Sequence, residues 1–287
     1  MWRLTYLRPV RGSTGKSLEV SRGQGHVRHM TKKPKWVVEK EQARRDEARA
    51  TVWLFGLHAV RDALANPRRE KLRLVVTKNA LDRLGEVPEG VPLEEADPRK
   101  FPAPLDPGSV HQGAALEVKP LDWGPLEEIA VSGTGPIVAL DRVTDPHNVG
   151  AILRSAEVFG ARAVIAPSRH SAPETGALAK TASGAMERQP YLRVGNLADA
   201  LIRLGDMGYL RLGLDGEAEA DIETAVAEGQ GRPVCLVLGA EGPGLRERTR
   251  DTCDRLVRIG AAGAFGSLNV SNAAAVGLYA ATREKPA

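Results

Sequence analysis

Apolar positions in this chain switch between two periods. From Pro136 onward, short apolar runs alternate with segments whose apolar residues recur every three or four positions. These are the signatures of buried strand and amphipathic helix. The run 136–140 predicts a strand. A polar loop containing Pro146 follows, and then a helix is predicted to begin near Gly150, with Ile152, Leu153, Ala156 and Phe159 on its buried face. Asn148 takes the expected N-cap position, Gly150 allows close approach of another segment, and Arg154 falls about one turn inside the helix. Further strands are predicted at 161–167, 190–194, 208–215, within 233–245 and at 254–260. Helices are predicted at 175–185 (small residues, with Lys180, Ser183 and Glu187), from an Asn196 cap through Leu204, and in the Ala-rich C-terminal segment. This alternation predicts an α/β fold with a parallel sheet covered on both faces. Its ligand crevice is expected at the carboxyl ends of the strands.

Ahead of this lies a smaller α/β pattern at 51–120. A short strand, Gly56 and a helix through Val60, Ala63 and Leu64 end at Asn66-Pro67. A strand at 71–78, a short helix near 80–84 and a strand at 115–118 closed by Pro120 complete it. His111-Gln112-Gly113 leads into that last strand and reads as a loop. Residues 121–135, with glycines and prolines near both ends, read as the connection to the larger region at 136–287.

Charge separates a third region. Residues 1–50 carry 13 Lys+Arg against 5 Asp+Glu, whereas the remainder carries 27 against 31, so the overall +4 belongs to the N-terminal segment. That segment lacks apolar periodicity and is expected to be a disordered basic tail able to meet RNA non-specifically. Its first 18 residues are Arg-rich and free of acid, which keeps a mitochondrial transit peptide open beside the cytoplasmic expectation. Met30 is a further candidate start. Gly12–Ser17 resembles the end of a Walker loop, but the required earlier glycine is Val10 and no strand leads in. Two cysteines, Cys235 and Cys253, give neither a disulfide framework nor metal spacing. No apolar run reaches membrane-spanning length, and the 4% aromatic content leaves few surfaces for stacking bases.

Two loops at the predicted strand ends carry chemistry. Glu241 lies in GAEGPG, whose glycines expose backbone amides, although the spacing is not that of a nicotinamide site. The segment 266–272 places four polar side chains within six positions before a helix, more than a cap at Ser271 requires.

Taken in order, NVGAILRSAEVFGA, LVLGAEGPGL and GSLNVSNAAAVGLYA resemble the three motifs of the SpoU (TrmH) class of SPOUT RNA 2′-O-ribose methyltransferases, over 136–283. The 51–120 region, with FGLHAV and HQGAALEV, is similar to the small RNA-binding domain that precedes the catalytic domain in RlmB-like members, which methylate a guanosine ribose in large-subunit (23S) ribosomal RNA. The resemblance implies a C-terminal trefoil knot, an S-adenosylmethionine site within it, and a homodimer with composite active sites. It implies roles in catalysis and architecture for Asn148, Arg154, Glu241, Ser267 and Asn269, and donor contacts at Gly239, Ile259, Leu268 and Asn269.

That chemistry needs no metal and no covalent nucleophile, because a sulfonium methyl is already electrophilic. The protein has to align the ribose hydroxyl and assist loss of its proton. For Arg154 two roles stand open, a deprotonated base or a cation that stabilises developing alkoxide charge. Transfer RNA is the rival substrate, and a non-catalytic RNA-binding factor in ribosome assembly the rival class.

Overall fold

A computed structural model describes residues 51–283, apart from 107, 134 and 261–267. The basic segment 1–50 and Ser267 lie outside the described residues. Two sheets, both in one compact unit of the chain, carry the fold.

The smaller sheet has strands β1 (Val52–Phe55), β2 (Lys71–Val76), β3 (Leu93–Glu95) and β4 (Ala114–Val118) in the order β1-β4-β2-β3. Helix α1 (Leu57–Ala65) packs Ala59, Val60 and Ala63 against it, and α2 (Lys78–Leu84) is capped by the Thr77 hydroxyl. β4 runs antiparallel to both neighbours. The charged edge strand β3 (LEE) pairs in parallel with β2 and was not predicted. Only Glu94 of its three residues is less than exposed, so no apolar alternation marks it.

The larger sheet holds β5 (Ile137–Asp141), β6 (Ala163–Pro167), β7 (Tyr191–Val194), β8 (Leu210–Leu214), β9 (Ala220–Asp221), β10 (Val234–Gly239) and β11 (Arg255–Arg258). Every pairing is parallel, in the order β7-β6-β5-β10-β8-β11-β9. Alternate residues of a strand face opposite ways, and the core divides accordingly. Ile137, Ala139, Cys235 and Val237 meet one set of helices, and Val138, Leu140, Leu236 and Leu238 meet another. On the first face lie α3 (Leu126–Val131) and α6 (Leu197–Asp206). Burying Leu197, Leu201 and Leu204 of α6 contributes on the order of 1.5–3 kcal/mol each. On the second face lie α4 (Pro146–Val158), α7 (Ile222–Glu228) and α9 (Val270–Thr282). Short helices α5 (Gly176–Ala182) and α8 (Glu247–Asp251) complete the set.

The segment between the sheets is more than a connection. α3 lies within it, and Leu126 and Ala130 are buried beneath the larger sheet. Two helix starts also differ from expectation. α4 begins at Pro146, because the Asp145 carboxylate accepts from the His147 N–H and Pro146 suits the first helical position. Asn148 therefore sits inside the first turn and does not cap the helix. α9 is capped by Asn269, whose side chain accepts from the Ser271 N–H, so Ser271 is not the cap. Gly150 packs α4 on α5 as expected, since a Cβ there would stand 2.7 Å from Thr181 Cβ.

Candidate active site

Three distant loops meet at the carboxyl edge of the larger sheet. Their approach depends on Asp141, a carboxylate at the end of β5 with 0% exposure. It accepts from the Arg246 N–H at 3.0 Å and from Arg246 Nε at 2.7 Å. A buried charge needs such pairing. Here the pair holds the loop after β10 beside the loop after β5. Within that loop the chain turns back on itself: the Gly244 N–H donates to Ala240, and Gly242 and Gly244 take φ of 83° and 68°. A Cβ on Gly239 would lie 2.2 Å from the Gly244 carbonyl carbon, so only glycine fits at the strand end.

The result is a cluster of Asn148, Glu241 and Asn269. Asn269 Nδ2 donates to Glu241 Oε1 at 2.7 Å and to Asn148 Oδ1 at 2.9 Å. Asn148 Nδ2 donates to the same Glu241 oxygen at 3.3 Å, and the Val270 N–H reaches it at 3.4 Å. The Asn269 oxygen accepts from the Ser271 N–H and hydroxyl, which fixes the amide's orientation. Glu241 and Asn269 are exposed, so the cluster opens to solvent. No cation pairs with Glu241 among the described residues.

Arg154 is not in this cluster. With α4 starting at Pro146, it lies eight residues in, roughly 12 Å along the axis from the first residue. Six residues separate it from Asn148, which turns it roughly 120° away around the helix. It is exposed and has no hydrogen-bond partner among the described residues. It shares a helix face with Val158, which is 78% exposed. Beside that face Phe159 meets Tyr279 edge-on at 6.3 Å, and Tyr279 and Val276 of α9 are also exposed.

Gly239 ends β10 and Ile259 follows β11, with β8 between those strands. The loop after β8, beginning at Asp215, therefore lies between them, and sequence reasoning passed over it. With Glu217, Glu219 and Arg250 it lines a 470 Å³ cavity. A carboxylate immediately after a buried strand was the available signal. Leu268, next to Asn269 in the chain, is 47% exposed.

Residues 135–279 match the family model described as the SpoU rRNA methylase family. The chain belongs to the SpoU rRNA methylase family. Residues 53–123 match a second model, described as RNA 2′-O ribose methyltransferase substrate binding. Among curated relatives, the 23S rRNA (guanosine-2′-O-)-methyltransferase RlmB of Vibrio vulnificus is 40% identical over 243 residues, covering 81% of this chain and 97% of the relative. RlmB of Pseudomonas putida is likewise 40% identical, covering 81% and 96%. Among solved structures, the SpoU methyltransferase AviRb of Streptomyces viridochromogenes in complex with AdoMet aligns with a TM-score of 0.69 at 23% identity, over 85% of this chain and 92% of that one. An AdoMet-bound rRNA methyltransferase from Sinorhizobium meliloti aligns with a TM-score of 0.67 at 25% identity, over 84% and 89%.

Burial pushes Cys253 up to about 12 and pushes Cys235 higher still, so neither is a thiolate near neutrality.

Proposed function

We propose that this protein transfers a methyl group from S-adenosylmethionine to the 2′-hydroxyl of a guanosine ribose in 23S ribosomal RNA, in the cytoplasm. The observation that carries the reading is the convergence of Asn148, Glu241 and Asn269 from three segments distant in sequence on the carboxyl edge of a parallel sheet. The curated RlmB relatives, matched over nearly their whole length, support the choice of RNA and base.

The donor site we assign to the backbone at Gly239, Ile259 and Leu268, with Asn269 beside it. The chemistry of these residues fits an adenosyl sulfonium. A glycine-lined strand end offers backbone donors and acceptors, and the exposed Leu268 offers an apolar surface for a flat ring. When bound, the donor supplies an activated methyl, so the protein's tasks are alignment and charge. Arg154 stabilises negative charge developing on the ribose oxygen or holds the neighbouring phosphate. A guanidinium stays protonated under ordinary conditions, which disfavours a literal base. Asn148, Glu241 and Asn269 shape the pocket and orient the substrate, with Ser267 assigned to the same loop.

Arg154 points away from these three, which supports a homodimer with composite sites. The exposed Val158, Val276 and Tyr279 near Arg154 offer an apolar surface for a second copy, and we assign Arg154 to that copy's site. We also read 51–120 as the RNA-binding domain and 136–287 as the methyltransferase domain. The packing of α9 on α4 and β10, two strands back from β11, supports the knotted arrangement.

The test is methyl transfer from labelled S-adenosylmethionine to unmodified ribosomal and transfer RNA, followed by nucleoside analysis. Labelled 2′-O-methylguanosine from 23S RNA is expected. Label confined to transfer RNA would overturn the substrate, and failure to bind the donor would point to a non-catalytic assembly factor.

A further inference from the structure

The seam between the two sheets holds a buried ionic cluster that the methyl-transfer reading leaves unused. Arg69 follows the Asn66-Pro67 turn after α1, and its side chain is 0% exposed. Its Nε and Nη2 donate as a fork to Glu187 at 3.0 and 2.6 Å. Its Nη1 donates to Glu174 at 2.6 Å and to the Lys119 carbonyl at 2.8 Å. Arg69 and Lys119 belong to the smaller sheet's region, whereas Glu174 and Glu187 lie between β6 and β7 of the larger. Asn66 donates to the Glu187 carboxylate at 2.9 Å and to its carbonyl at 3.1 Å. Arg188 bridges Asp62 of α1 and Glu157 of α4. Burial alone would lower the Arg69 pKa, but the hydrogen bonds and charges of Glu187 and Glu174 hold it above its ordinary value.

A buried ion cluster is a poor device for stability alone, since apolar side chains of similar volume often do as well. What it supplies is direction, because a planar fork accepts one approach of its carboxylate. The seam is close elsewhere too. A Cβ on Gly176 would stand 2.3 Å from the Trp53 carbonyl oxygen, and one apolar core runs through both sheets.

The other end of the seam reaches the candidate site. Lys180 of α5 lies 5.9 Å from the Phe55 ring of β1. Its neighbour Thr181 hydrogen-bonds His147 Nδ1 at 3.3 Å, and His147 precedes Asn148. The smaller sheet is thus clamped at one end and touches the elements of the methyl-transfer site at the other.

We propose that Arg69, with Glu174 and Glu187, holds the smaller sheet at one fixed distance and angle from the methyl-transfer site, so that the enzyme selects RNA by the separation between its gripped element and its target ribose. Arg69 is a positioning residue in this scheme. The inference rests on the RNA reading above.

The experiment compares the full chain with R69M, R69K and the triple variant R69M/E174Q/E187Q. The triple variant strands no buried carboxylate, so it keeps the test available if R69M does not fold. Each is assayed on a 23S rRNA transcript and on a short hairpin that carries the target but is too small to reach the smaller sheet. The wild type is expected to prefer the transcript. In the folded variants KM for the transcript should rise by roughly tenfold, the scale of one lost coupling between sites. Transfer to the hairpin and donor affinity should stay unchanged, with R69K intermediate. Amide exchange should quicken at Val52–Phe55 and Gly176–Ala182 but not in β5 or β10. A preference that survives in the triple variant would overturn this inference alone. So would equal losses on both RNAs in step with donor binding. A wild type that methylates neither RNA would overturn the functional reading and this one with it.

Discussion

Two glutamates serve as hubs in this molecule, and they are used in opposite ways. Glu187 is buried, and its carboxylate is matched by the Arg69 fork and the Asn66 amide. Glu241 is exposed and accepts from two neutral asparagine amides and a backbone N–H. The first cluster is closed: its charges answer one another, and what they determine is orientation. The second is open: hydrogen bonds hold its shape while its charge and outer faces stay available to a ligand. Residue type alone does not separate a structural ion cluster from a chemical one. Burial and the presence of a matching cation do.

The comparison breaks most decisively at Arg154. R154A should lose about a hundredfold or more in single-turnover methyl transfer, the scale of removing one charge-stabilising group. Donor binding and melting temperature should hold, because the side chain is exposed and bonded to no described residue. Mixing R154A with E241A protomers then sharpens the geometry. Recovered transfer is expected if Arg154 serves the partner's site, whereas a mixture as inactive as its parts would mean that it serves its own.

Next in size is the contrast between the two hubs. R69M leaves the buried Glu187 and the partly buried Glu174 without their cation and should cost about 3–5 kcal/mol in denaturant unfolding. E241Q removes a charge from an exposed cluster and should change stability by about 0.5 kcal/mol or less, while methyl transfer falls. An E241Q protein as unstable as R69M would erase the distinction between closed and open. Smaller again is G150A. Its added methyl meets Thr181 Cβ at 2.7 Å and the Ala182 nitrogen at 2.9 Å, and overpacking of this kind costs about 1–3 kcal/mol.

Much of the architecture was legible because buried parallel strands write themselves as unbroken apolar runs. Several elements that escaped lack that signature: β3 is charged, β9 has two residues, and α3 hides among glycines and prolines, while the short helices α7 and α8 were passed over as well. The polar residues of the site could be picked out as too many for capping, and Asn148, Glu241 and Asn269 do come together. The cap assignments failed because Asp145 and Asn269 had competing neighbours of equal propensity, and only the path of the backbone chooses between them. That shift moved Arg154 deeper into α4 than its motif suggested. The Arg69 cluster was invisible, since an arginine and two glutamates more than a hundred residues apart carry no local pattern.

A last effect concerns pH, is absent near neutrality, and needs no loss of function. Burial raises Cys253 to about 12, and burial raises Tyr191 to about 12 as well. In the unfolded chain these groups ionise near roughly 8.5 and 10. A group whose pKa is higher in the folded state contributes stability that is complete below its unfolded value and is lost as pH rises toward its folded value. Unfolding free energy should therefore be level in this respect up to about pH 8.5 and decline between there and pH 12. Denaturant melts at spaced pH values would show the slope, and C253A should make its lower part shallower while leaving the parts due to Cys235 and Tyr191. If C253A and the wild type decline in parallel from pH 8.5, the thiol is not held neutral by the fold. Cys253 would then titrate as an ordinary surface cysteine, open to alkylation near neutrality.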